Sequence, residues 1–147
     1  MRYTTAKPGR VLVVRLADGD VVHECVEDAA QREGISCAAV WLLGGADEGS
    51  RVVVGPERGR APEIEPMEHV LDQVHELAGV GTIFPDEGGK PALHLHAVFG
   101  RSDHAHAGCI RRGVRTWVIG EAVVLELTEC AAVRRHDPVT GFDLLDV

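Results

Sequence analysis

The chain has no surplus of positive charge: 15 Lys and Arg stand against 23 Asp and Glu, a formal net charge of -8 at pH 7. Duplex DNA is bound largely through neutralised phosphates, so an acidic chain meets repulsion unless its basic residues cluster strongly. The local basic clusters, Arg111-Arg112 with Arg115 and Arg134-Arg135, read as solvated surface, and direct DNA binding is disfavoured. Also missing are an apolar run long enough to cross a bilayer and, in Met1 to Pro8, the apolar core of an export signal. No membrane role and a cytoplasmic location are therefore expected. The cysteines at 25, 37, 109 and 130 have no C-x-x-C spacing, which speaks against a disulfide framework and for free thiols or a single metal ligand. Internal repeats and low-complexity tracts are absent as well.

What remains is 147 residues, 45% hydrophobic and 26% charged, enough for one domain over residues 1–147 with a sizeable core. Arg10 to Leu16 reads as an apolar strand. Asp20 is placed to cap a helix running to about Glu33, with Val21, Cys25, Val26, Ala29 and Ala30 as its apolar stripe and Gly34 as its stop. Ile35 to Gly45 reads as a buried strand and Arg51 to Gly55 as a shorter one. Met67, Val70, Leu71, Val74 and Leu77 recur at helical spacing, which predicts a helix before a strand over Val80 to Phe84. Arg115 to Glu129 predicts a central strand with a bulge or bend at Gly120, and Phe142 to Val147 a short edge strand. These elements predict an α+β fold: a mixed, mainly antiparallel sheet of about seven strands with flanking helices.

The polar stretch Pro56 to Pro66 reads as a loop. Within it, Arg58-Gly59-Arg60-Ala61-Pro62 faintly resembles a minor-groove AT-hook, but Ala61 interrupts the core and Glu57, Glu63 and Glu65 surround it with negative charge.

The most informative segment is Pro91-Ala92-Leu93-His94-Leu95-His96-Ala97-Val98-Phe99. In a strand, residues two apart share a face and lie about 6.5 to 7 Å apart, so His94 and His96 point one way while Leu93, Leu95 and Ala97 point the other. Two imidazoles so placed can share an ion at about 2.0 to 2.1 Å from each nitrogen. Gly100-Arg101-Ser102-Asp103 predicts a reversal into an antiparallel return strand. A reversal centred between Ser102 and Asp103 sets Cys109 opposite His96, close enough for a thiolate to join the same ion. A His-x-His pair is also what a half-exposed polar face looks like, and a lone Cys is often a small buried hydrophobe. His104 and His106 fall on the other parity of the return strand and read as exposed residues pointing away from Cys109.

Taken with Gly34-Ile35-Ser36-Cys37-Ala38-Ala39-Val40, Leu43-Gly44-Gly45-Ala46, His75 to Ile83 and Ala107-Gly108-Cys109, this hairpin resembles the plants-and-prokaryotes-conserved domain over roughly residues 5–130. The resemblance implies a mixed fold around an antiparallel sheet, a homotrimer, and strand rather than helix from Glu76 to Ile83. It also implies a zinc ion on the histidines of the motif. Where many members carry Gly-Gly-His, this chain has Ala107-Gly108-Cys109, so the third ligand carries over as Cys109, a swap zinc accepts. Plant members bind DNA through adjoining AT-hooks, whereas the broad fold also resembles acetolactate decarboxylase, whose three-His metal site binds a small oxo-acid.

Two functions follow from that resemblance. In one, the ion on His94, His96 and Cys109 stabilises a trimeric binding or regulatory scaffold that meets a protein partner or a small-molecule ligand. In the other, the ion has an open position and serves a lyase- or hydrolase-type reaction on a small carbonyl or carboxylate compound, with Glu76 as the candidate acid or base.

Overall fold

In the computed structural model, which describes residues 1–61 and 63–147, the apolar runs become ten strands and one helix. β1 (Lys7–Ala17) leads through a tight turn into α1 (Val22–Arg32). β2 (Ala38–Ala46), β3 (Arg51–Pro56), β4 (Pro66–Val70), β5 (His75–Pro85), β6 (Pro91–Arg101), β7 (His104–Cys109) and β8 (Thr116–Thr128) follow, then the short strands β9 (Val133–His136) and β10 (Asp143–Asp146). Eight strands form one sheet in the order β1-β8-β2-β5-β6-β7-β3-β4, and each neighbouring pair runs antiparallel. The expectation of about seven strands was one short for this sheet, and the flanking helices reduce to α1 among the described residues. No described helix is long and apolar enough to cross a membrane.

The core lies between α1 and one face of the sheet. Val22, Val26 and Ala30, spaced at four, turn one side of the helix onto Leu16, Val40, Leu95, Phe99 and Val124, all buried. Asp20 does not cap the helix. Its carboxylate accepts from the Ala17 N–H at 2.8 Å, closing the β1 turn, and Val21 occupies the cap position without a side-chain bond. Gly34, at φ +67°, ends the helix as expected, with the Ile35 N–H donating to the Ala30 carbonyl.

The helix predicted over Met67 to Leu77 is not formed, because its residues are claimed by two ladders. β4 pairs with β3, and β5 is inserted between β2 and β6, so that each residue from His75 to Ile83 has a partner in β2 or β6. Long-range pairing outweighs a short stretch of helical spacing. The apparent stripe does not even share one environment: Leu71 and Leu77 are buried, while Met67 and Val70 are exposed. The bulge foreseen at Gly120 lies just before it. The β2–β8 register slips from Gly44 opposite Gly120 to Gly45 opposite Trp117, with Val118 at φ 62°. The predicted terminal edge strand is β10, but it pairs with β9 in a separate two-stranded ribbon instead of extending the main sheet.

The other face of the sheet is not covered by α1. One transverse row across it runs, partner to partner, through Val13, Val123, Trp41, Val80, His96 and Cys109. Its apolar members are well exposed, with Val13 at 74%, Trp41 at 48% and Val80 at 60%.

Candidate metal centre

β6 is held straight by its neighbour. The β5–β6 turn is fixed by Asp86, whose carboxylate accepts from the N–H groups of Gly88 and Lys90, each at 2.9 Å, and this sets Pro85 opposite Pro91. Gly81 lets the strands approach closely, since a Cβ there would stand 2.5 Å from the His94 carbonyl oxygen and 2.6 Å from the Leu95 Cβ. Leu95 and Ala97 are then buried in the core, and His94 and His96 project from the opposite face.

The return strand arrives in the expected register. Arg101 pairs with His104 across a two-residue connection in which Ser102 takes φ 53°, and His96 pairs with Cys109. His94 Nε2 lies 3.1 Å from His96 Nε2, near the separation of about 3.3 Å that two nitrogens have when tetrahedrally bound to one zinc ion. One donor atom from each of His94, His96 and Cys109 lies within 4.8 Å of the others. The imidazoles are exposed and the thiol is buried, so the group is open on the imidazole side.

Burial and neighbouring positive charge both act on the two imidazoles. Burial, followed by the charges of Arg134 and Arg111, pushes the His94 pKa below its ordinary value, and burial, His94 and Arg111 do the same for His96. Neutral rings with free lone pairs result, as metal binding requires. The Arg111 Nε–H donates to Cys109 Sγ at 3.1 Å. Two neutral imidazoles and a guanidinium-supported sulfur make a donor set suited to a zinc-type ion.

The sequence places Arg111 and Arg134 on the surface, and for Arg134 the structure differs. It is 8% exposed, its Nη2 donates to Thr82 Oγ1 at 3.1 Å, and its guanidinium lies over the Phe84 ring at 5.7 Å from the centroid. The guanidinium of Arg111 lies 5.8 Å from the Phe142 centroid. Both arginines line a cavity that adjoins His94, together with Leu93, Phe142 and Asp143. Nothing in the local sequence separates Arg134 from its neighbour Arg135; the signal is tertiary, the packing of β9 on β5.

Glu76 is not brought to this group. It is exposed, pairs with Gly100, and lies four residues along β5 from Val80, the partner of His96, a separation of roughly 13 Å in a strand. His104 and His106 do point away from Cys109, but they are not simply exposed: with His75 they form a second cluster on the core-facing side, which sequence spacing did not indicate. In the AT-hook-like segment, Arg58 Nη2 lies 3.2 Å from Glu65 and 3.9 Å from Glu63, and Pro62 lies outside the described residues.

Comparison with solved structures places the fold among known ones. A metal-containing protein of Archaeoglobus fulgidus superposes with a TM-score of 0.84 at 22% identity, covering 100% of each chain. A plant- and prokaryote-conserved protein of Pyrococcus horikoshii gives 0.84 at 19% identity over 100% of this chain and 98% of that one. A candidate DNA-binding protein of Bacteroides thetaiotaomicron gives 0.75 at 18% identity over 97% and 98%. No curated protein sequence matches significantly. These likenesses establish the fold, and a scan against protein families matches residues 3–128, so the chain belongs to the Plants and Prokaryotes Conserved domain family.

Proposed function

We propose that the chain is a cytoplasmic metal-binding homotrimer that holds a zinc-type ion on His94, His96 and Cys109 and acts as a binding or regulatory scaffold. The observation that carries this reading is the convergence of those three donors within 4.8 Å on one face of the sheet. The metal content of the Archaeoglobus fulgidus protein, which shares the fold, points the same way. A reducing compartment keeps the thiol available to a metal. The homotrimer is supported by the exposed apolar row that ends at His96, since patches of this kind on soluble proteins mark interaction surfaces. A neighbouring subunit, a protein partner or a small ligand completes the coordination. Direct DNA binding has no part in the proposal, given the net charge of -8 and the engagement of Arg58 by Glu63 and Glu65.

A second reading is favoured by the two arginines beside His94. Paired guanidiniums bind carboxylates through directed, charge-assisted hydrogen bonds, so the cavity fits a small carboxylate with its reacting oxygen toward the donors. When bound, an ion with an open position supplies Lewis acidity to such an oxygen. This is a metal-dependent lyase- or hydrolase-type enzyme on a small carbonyl or carboxylate compound. No step in it is assigned to Glu76.

Elemental analysis of the purified, untagged chain tests the metal centre. His94→Ala and Cys109→Ser should each lose one equivalent of zinc, and the cobalt-loaded protein should show a thiolate-to-cobalt charge-transfer band that Cys109→Ser removes. Unchanged metal content in His94→Ala, or cobalt loading without that band, overturns the assignment.

A further inference from the structure

A second group of imidazoles lies on the other side of the sheet. His75 opens β5, and His104 and His106 lie on β7 with the parity opposite to Cys109. His75 is 1% exposed. Its Nδ1–H donates to the Gln73 carbonyl at 2.8 Å, which fixes the tautomer and leaves Nε2 with its lone pair. That Nε2 is fully buried and has no hydrogen-bond partner. A carbonyl on one ring nitrogen and nothing on the other is how metal-bound histidines are commonly oriented.

The three rings are arranged around a common point. Their centroids are 5.9 Å apart for His75 and His104, 6.1 Å for His75 and His106, and 5.8 Å for His104 and His106, close to an equilateral triangle. The centre of that triangle is about 3.4 Å from each centroid, against about 3.2 Å expected for a ring bound to zinc through one nitrogen. One nitrogen from each ring falls within 4.8 Å of the others. His69 stacks on His106 at 3.7 Å between centroids and an angle of 25°, which restrains that ring. Arg101 occupies the register position between His75 and His104, but its Nη1 donates to the Val74 carbonyl at 2.9 Å, which anchors the guanidinium there.

We infer that His75, His104 and His106 form a second metal site, specific for a divalent transition ion that accepts nitrogen-only ligands, such as zinc, nickel or copper. It is separate from the centre on His94, His96 and Cys109. The sites lie on opposite faces of the sheet, and His104 pairs with Arg101, five residues or roughly 16 Å along β6 from His96. The donor sets differ too, with a sulfur in the first and none in the second. An ion here ties the start of β5 to the tip of the β6–β7 hairpin, across the strand that separates them.

Cobalt titration of the metal-stripped, untagged full chain distinguishes the two sites. Wild type should take two equivalents. The double variant His104→Ala/His106→Ala, whose replaced residues lie toward the surface, should take one and keep the charge-transfer band. His94→Ala/Cys109→Ser should take one without the band, and adding His106→Ala to it should weaken that remaining equivalent at least tenfold. The inference is overturned if wild type and His104→Ala/His106→Ala bind equally, or if folded His94→Ala/Cys109→Ser, checked by circular dichroism, binds no ion. A single equivalent with the band would leave the first centre standing alone, and a single equivalent without it would leave this one.

Discussion

Single residues decide what kind of centre the hairpin can make. Cys109 brings a sulfur to a pair of imidazoles, and Arg111, two residues on, donates to that sulfur while also bordering the cavity beside His94. Removing a group that supports a metal ligand typically weakens binding by about 10- to 100-fold. Arg111→Ala should therefore weaken zinc by that order, measured by competition with a chromophoric chelator. If the second functional reading holds, pyruvate should perturb the visible spectrum of the cobalt protein, and Arg111→Ala should abolish the change; a perturbation that persists removes the arginine from ligand binding. At this scale His94, His96 and Cys109 were legible in advance because all three depend on one short hairpin. Arg134 and His75 were not. Arg134 gains its role from β9 packing on β5, and His75 lies about 30 positions from the imidazoles it joins, a distance no local pattern spans.

Elements explain why the hairpin could be read and the stretch before it could not. β6 alternates cleanly, with Leu95, Ala97 and Phe99 buried and His94, His96 and Val98 turned outward, so its period of two carries the faces unambiguously. Met67 to Leu77 instead combines the outer positions of β4, a turn and the start of β5, and the mixture imitates a period near 3.6. The overlooked clue was Gly79 and Gly81, whose missing side chains mark close strand approach. Gly81→Val should push β5 off β6 at the His94 carbonyl. Overpacking of this kind costs about 1 to 3 kcal/mol. Urea denaturation should register that loss, together with a fall in zinc content; a variant equally stable and fully loaded would show that the close approach does not position His94.

For the whole molecule, the decisive feature is a sheet face that α1 does not cover and that the β9–β10 ribbon meets only near His94, leaving the apolar row exposed. The element pattern was enough to indicate a mainly antiparallel sheet, which the structure has, but could not say that the helix would protect only one side. Trp41 lies centrally on the exposed row, flanked by Val123 and Val80. Trp41→Asp should break the proposed trimer, reducing the mass in light scattering from three chains to the 15.8 kDa of one while leaving the circular dichroism spectrum intact. Wild type eluting as a monomer would refute the assembly outright. The continuous row from Val13 to Cys109 also means that packing against Trp41 and access to His96 fall on one surface, with only Val80 between them. Were that surface sealed by sister chains, ion retention would obey mass action: dilute samples would shed their cargo sooner than concentrated ones, and chelators would act fastest on dissociated protomers.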